Sequence, residues 1–300
     1  MQSGKARTEQ QLPDLRGFDT WSDADILAAL LAGQRRALDA VAQALPAISQ
    51  AAQLVAPRIA AGGRLIYAGA GTSIRVAVQD GAELPATFGM KEEQLAYLIA
   101  GGRDAMFDTL ADAEDDIEAG RRAAEICTGA DVLIAVAASG RTPYTIAAAQ
   151  TARTAGCLVI AVVNNAGSAL AEAADHVILL DSGPEVVSGS TRLGAGTAQK
   201  VALNLLSTLV HTRLGAIHDG LMVNVQAGNA KLVGRAAGIV QQISGSDARA
   251  AKDALSRTQG NVKLAILLCA GAADLATAQD ILSHSDGSLR LALSKLSPKV

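Results

Sequence analysis

The chain has 300 residues, 50% of them apolar and 2% aromatic, and its 26 Lys and Arg against 29 Asp and Glu leave a net charge of -3. That length buries a full core, as one large domain or as a domain with a smaller unit. The charge balance excludes the basic field that nucleic acids select, and so few aromatic residues exclude base-stacking platforms.

Three cysteines, Cys127, Cys157 and Cys269, are odd in number and widely spaced. They form neither a disulfide framework nor a paired-cysteine metal motif, so a reducing cytoplasm is the expected location. The N-terminal stretch has no apolar signal region, and no apolar run is long and charge-free enough to span a bilayer. No membrane partner is expected.

The first two dozen residues are polar and without period. From Trp21 to Ala61 apolar residues recur at three- and four-residue spacing, which predicts two helices broken or kinked at Pro46. Short apolar runs then alternate with helical patterns. The runs are Arg64 to Ala68, the weaker Ala96 to Ala100, Asp131 to Ala137, Cys157 to Val163 and His176 to Leu180. Helical patterns fill 75–84, 112–127, 143–155 and 195–214. This alternation predicts an α/β fold: a parallel five-stranded sheet flanked by helices, in a flavodoxin-like three-layer arrangement. Beyond Gly220 the strand signal ends and only helical patterns follow. The expected organisation is a helical N-terminal segment over 1–55, a sheet domain over 56–219 and a small helical C-terminal unit over 220–300.

Three loops that follow predicted strands are rich in Gly and hydroxyl residues: "GAGTSIR" (69–75), "AASGRTP" (137–143) and "GPEVVSGSTRLGAGTAQK" (183–200). Backbone N–H groups at a helix start, joined by Ser and Thr hydroxyls, make an anion site. Arg75, Arg141, Arg192 and Lys200 are candidate fixed charges. Any one loop reads equally well as a tight turn with a hydroxyl helix cap. Three at equivalent strand ends point to phosphate. A dinucleotide fingerprint fails because Ile74 stands where its third glycine belongs, and the phosphate-loop motif of nucleoside triphosphatases is absent.

Among carboxylates, Glu83 ends an apolar helical pattern just before Leu84 and Pro85. Glu114 sits with Asp115 and Asp116 in "ADAEDDIEAG" (111–120), at an expected helix start, where a solvated acid complementing the helix dipole is the plain alternative. His211 and His218 lack an evident third ligand, so no metal site is expected.

"GRLIYAGAGTS", "AELPATFG", "AEDD", "AASGRTPYTI", "GPEVVSGSTRLGAGTAQK" and "GNVKLAIL" resemble, in order and spacing, the N-acetylmuramic acid 6-phosphate etherases of the sugar-isomerase (SIS) domain proteins. The resemblance implies a SIS fold, a homodimer, and a lyase of amino-sugar metabolism and cell-wall recycling. Its small-molecule partner is a sugar phosphate. The implied reaction cleaves the C3 ether to D-lactate by elimination and water addition, with neither metal nor redox cofactor. By position, Glu83 and Glu114 match the family's catalytic glutamates. Thr72, Ser73, Ser139 and Thr142 are implied to hold phosphate. Ser190 and Thr191 are implied near the sugar, with Arg141 and Lys200 as further substrate-binding residues. Apolar surroundings are expected to shelter Glu83. The chain departs from the family pattern at Ile74, usually Gly, at Gly194, usually Lys, and at Asn165, usually Pro. A sugar-phosphate-sensing regulator and an aldose–ketose isomerase are the alternatives on this fold.

Overall fold

Continuous apolar runs need cover on both faces, and the five runs of the sequence become five parallel strands with helices on either side. The computed structural model describes residues 6–108, 112–226 and 230–296. Residues 1–5 of the N-terminal stretch, Ala111 of the acidic segment and 227–229 of the first C-terminal helical pattern lie outside the described residues.

Two compact units result, one formed by the chain up to Gly81 with Glu93–Ser207, the other by Ala82–Glu92 with the chain from Thr208 onward. The first begins with α1 (Asp23–Ala60), capped by Ser22, whose side chain accepts from the Asp25 N–H. The two helices expected here, broken or kinked at Pro46, are a single one: α1 runs through Pro46 and Pro57. An interior proline costs about 3 kcal/mol. Here Pro46 and Ala42, whose carbonyl loses its helical partner, are both exposed, so that carbonyl is open to solvent rather than buried unpaired. The buried face of Ala37, Val41, Ala44, Ile48, Ala52 and Val55 continues unbroken across the proline.

There follow β1 (Leu65–Gly69), α2 (Gly71–Phe88), β2 (Leu95–Ile99), α3 (Ile117–Ala124), β3 (Val132–Ala137) and α4 (Pro143–Thr154). The sheet is completed by β4 (Leu158–Val163), α5 (Ala169–Glu172), β5 (His176–Leu179) and α6 (Gly194–Arg213). Strand order is β2-β1-β3-β4-β5, with every neighbour parallel. The order reverses at β1, so the crevice beyond the carboxyl ends of β1 and β3 is where a ligand binds in such a sheet.

One sheet face, with Ile66, Leu133, Ala135 and Val159, packs on Ala148 and Ala152 of α4 and Leu170 of α5. On the other, the Tyr67 hydroxyl donates to the buried Asp80 carboxylate of α2 at 2.7 Å, which also accepts from Asn204 (2.6 Å) and Ser207 (2.9 Å) of α6. That buried carboxylate ties α2 and α6 to β1. At the opposite strand ends, the Asp131 carboxylate accepts from Arg64 Nη2 (2.7 Å), the Arg64 N–H (2.9 Å) and the Thr128 hydroxyl (2.8 Å). Burial alone would raise its pKa, but these bonds hold it well below the usual carboxylate range.

The second unit contains the later parts of α2 and α6, then β6 (Ile217–His218) and β7 (Leu221–Met222). It ends with α7 (Ala230–Ser244), α8 (Ala248–Arg257), α9 (Val262–Ala270), α10 (Leu275–Ser283) and α11 (Leu289–Ser294). The hairpin corrects the expectation that no strand follows Gly220. Asp219 and Gly220 both take positive φ, the Asp-Gly form of a two-residue hairpin turn. Helix α9 is the buried centre of this unit. Its Lys263 is buried too, donates to the Gly287 carbonyl at 2.7 Å, and burial lowers its pKa to about 8. No single helix among the described residues is long and apolar enough to cross a membrane.

Candidate functional site

The turn from β1 into α2 passes through Gly71 at a φ of +53°. A Cβ at this position would lie 2.9 Å from Oε1 of Glu114. Glu114 therefore rests its carboxylate against the start of α2, beside Thr72 and the buried Ser73. It does so from a turn rather than from a helix. Asp116 caps α3 by accepting from the Ala119 N–H at 2.8 Å, which leaves Glu114 ahead of the helix and exposed. Its carbonyl accepts from the Tyr144 N–H in the first turn of α4 at 3.0 Å. One residue is thus held between the first and second hydroxyl loops.

The second loop follows β3. Ser139 accepts from the Arg141 N–H at 3.1 Å, Thr142 is the cap residue of α4, and Pro143 takes the first helical position, where its missing N–H is harmless. Gly140 is at +64°, and a Cβ there would lie 2.2 Å from Ser168 Oγ, so no side chain fits. The Arg141 side chain is exposed.

The third loop reaches the first through α6. A Cβ at Gly196 would lie 3.3 Å from Thr72 Cγ2, and the Gly196 N–H donates to the Thr191 carbonyl at 2.8 Å. Glu114, Thr72, Ser73, Thr142 and Thr191 are therefore joined by direct contacts or adjacent turns. Ser190 precedes Thr191, half-buried. Lys200 lies further along α6, exposed. Arg75 is not at the cradle: its Nη2 donates to the Ala105 carbonyl at 3.1 Å. Glu83 lies in the part of α2 that belongs to the second unit, and its side chain is exposed. The apolar shelter expected around Glu83 is absent from this chain: Glu83 is exposed, and its neighbours Ala82 and Ala86 are exposed with it. His211 stacks on Phe88, ring centroids 4.6 Å apart.

Two features carry bonds that the sequence reading did not assign: Glu185, which it passed over, and the Asn164–Asn165 pair, of which it noted only the departure at Asn165. Glu185, only 4% exposed, accepts from the N–H groups of Gly194 (2.9 Å) and Ala195 (2.8 Å) at the start of α6. An internal carboxylate thus occupies the end of α6. A Cβ at Gly194 would come within 3.1 Å of Glu185 Oε2, so the glycine that replaces the family's usual lysine lets that cap close tightly. The second feature is the Asn164–Asn165 pair after β4. Asn164 donates to the Leu180 carbonyl (2.9 Å) and accepts from Gln199 of α6 (3.0 Å). Asn165 donates to the Ala138 carbonyl (2.9 Å) and to Thr8 Oγ1 (3.2 Å). The buried polar side chains were the available signal, but sequence alone does not place their partners. Ile74, 1% exposed, packs at Gly69, so its bulk enters the core.

The chain is similar to known proteins along most of its length. The glucokinase regulatory protein N-terminal SIS domain family matches residues 47–153, and the SIS domain family matches residues 107–209. An N-acetylmuramic acid 6-phosphate etherase of Deinococcus radiodurans is 48% identical over 264 residues, covering 87% of this chain and 87% of that protein. The etherase of Symbiobacterium thermophilum is 45% identical over 274 residues, 90% of this chain and 91% of that protein. A solved phosphoheptose isomerase from Francisella tularensis has a TM-score of 0.49 at 17% identity, covering 64% of this chain and 100% of that one. With relatives of this identity along most of its length, the chain belongs to the N-acetylmuramic acid 6-phosphate etherase family.

Proposed function

We propose that the chain cleaves the C3 D-lactyl ether of N-acetylmuramic acid 6-phosphate, releasing D-lactate and N-acetylglucosamine 6-phosphate. The observation that carries this reading is the Glu114 carboxylate set against the first turn of α2. It supports the reading because a carboxylate beside a hydroxyl-rich helix start suits proton removal next to a bound phosphate, in a chain whose relatives are etherases.

In the ring-opened sugar the C1 aldehyde acidifies the C2 proton. Glu114 removes it, the C3–O bond breaks, and the lactate oxygen takes a proton from Glu83. Water, activated by the same Glu83 carboxylate, then adds at C3, and C2 regains a proton. Thr72, Ser73, Ser139 and Thr142 bind the phosphate with the N–H groups that open α2. Ser190 and Thr191 face the sugar, and Arg141 and Lys200 add positive charge.

The family resemblance implies a homodimer in which each site borrows residues from its partner, and on that basis we assign each site its acid from Glu83 of the partner subunit. An unpartnered stripe on α1 supports pairing: Leu27, Leu31, Leu38 and Leu45 recur on one helix face and are 65%, 51%, 49% and 49% exposed. Three free cysteines and a phosphorylated substrate, which does not cross membranes unaided, fit a cytoplasmic enzyme.

The test is D-lactate release from N-acetylmuramic acid 6-phosphate by the purified protein, with EDTA present. Lactate is the expected product. Sugar-phosphate binding without turnover would support a sensor instead, and aldose–ketose interconversion without lactate an isomerase.

A further inference from the structure

The N-terminal segment 6–9 crosses the carboxyl ends of the strands and is fastened at both sides. Thr8 is fully buried. Asn165 accepts from the Arg7 N–H at 2.7 Å and donates to Thr8 Oγ1. Arg7 pairs with Asp181 in the loop after β5. Across the segment, the Thr8 carbonyl accepts from the Gly189 N–H at 3.0 Å, and the Glu9 carbonyl accepts from the Ser188 hydroxyl at 3.1 Å. Gly189 sits at a φ of +75°, and a Cβ there would lie 2.9 Å from the Glu9 carboxylate.

These bonds have a direction. Asn165 is fixed to the end of β3 through the Ala138 carbonyl, and Ala138 also accepts from the Asn164 N–H. The rigid sheet therefore holds Asn165, Asn165 holds Thr8, and Thr8 holds Gly189, the residue just before Ser190 and Thr191. We propose that residues 6–9 form a strap whose task is to hold the 188–191 loop in its substrate-binding position. Thr8 and Asn165 are then positioning residues for the sugar site. This rests on the reading of Ser190 and Thr191 as sugar-facing groups.

The variants that test it are Thr8→Val, which removes only the hydroxyl acceptor, and Asn165→Leu. The control is Asp247→Ala, which removes the cap of α8 in the second unit. Two readouts are taken: steady-state kinetics with N-acetylmuramic acid 6-phosphate, and amide exchange of a peptide covering 186–193 without substrate. The strap predicts a KM raised about tenfold or more with kcat changed several-fold less, and faster exchange in 186–193, in both strap variants and not in the control. Should Asn165→Leu fail to fold, Thr8→Val decides alone. Unchanged KM and unchanged exchange in Thr8→Val would overturn the strap. If the unmodified protein releases no lactate, the etherase reading fails, while the exchange readout still decides whether the strap holds the loop.

Discussion

Gly71 and Glu114 compete for the same space: a Cβ on the glycine would lie 2.9 Å from the carboxylate oxygen. Two segments more than forty residues apart in sequence thus meet where β1 turns into α2. The missing side chain of Gly71 leaves the space that the Glu114 carboxylate occupies. Only a residue without a side chain takes the +53° φ freely and also leaves room for the acid.

Gly71→Ala is expected to damage catalysis more than folding. The left-handed conformation costs an ordinary residue about 1–2 kcal/mol, and the added methyl displaces Glu114. Kinetics and thermal unfolding of the variant check this. The expectation is a fall in kcat/KM of a hundredfold or more, of the size seen when a catalytic group is misplaced by an ångström, with unfolding a few degrees lower. A loss of stability without loss of turnover would remove Glu114 from the mechanism.

If each site takes Glu83 of the partner subunit, complementation follows. Glu83→Ala and Glu114→Ala are each expected to release no lactate while still binding the sugar phosphate. Unfolded together and refolded as a mixture, half of the dimers are mixed, and each carries one site with both glutamates intact. Activity is then expected to return to about a quarter of the unmodified level. No recovery would place both glutamates in one subunit.

Ser73→Ala is expected to act on binding. The hydroxyl is buried in the first turn of α2, where an anion gains from the helix N–H groups. Losing one hydrogen bond to a charged group costs roughly 1.5–3 kcal/mol, a weakening of about ten- to a hundredfold for the phosphorylated sugar. Calorimetric titration with N-acetylglucosamine 6-phosphate reads it directly, and an unchanged affinity would move the phosphate elsewhere.

Lys263 gives a pH signature separate from catalysis. Burial lowers its pKa from 10.5 to about 8 in the folded protein. Between those values the unfolded chain binds more protons, so stability rises with pH from about 8 to 10.5, and below 8 the buried charge is a standing cost of order 3 kcal/mol. Lys263→Met, which keeps the length and removes the charge, is expected to flatten that rise. Urea unfolding of both proteins at pH 7 and 9.5 checks it, since the other titrating groups are common to both. Parallel slopes would mean that Lys263 is hydrated.

The sheet was legible because its strands are apolar on both faces, and each predicted run falls on a strand of the structure. The hydroxyl loops were legible for the same reason: they follow those runs. Other features depend on packing that no local pattern carries. Pro46 was read as a break or kink between two helices, but α1 continues through it and keeps its buried face across the proline. The β6–β7 hairpin is two residues on each side, too short for any period to register. Arg75 looked like a phosphate ligand by sequence distance, but it faces the Ala105 carbonyl. Glu185 and Asn165 act through partners about ten and more than a hundred and fifty residues away, which only the fold supplies.

The most direct test of the central claim is to follow the isotopes. The purified protein is given N-acetylmuramic acid 6-phosphate in deuterated, oxygen-18 water, and the products are analysed by mass spectrometry and NMR. Elimination and readdition predict D-lactate without oxygen-18 in its hydroxyl, and N-acetylglucosamine 6-phosphate with deuterium at C2 and oxygen-18 on C3. Oxygen-18 in the lactate hydroxyl, or lactate released with no deuterium at C2, would contradict the mechanism, and no lactate at all would contradict the function.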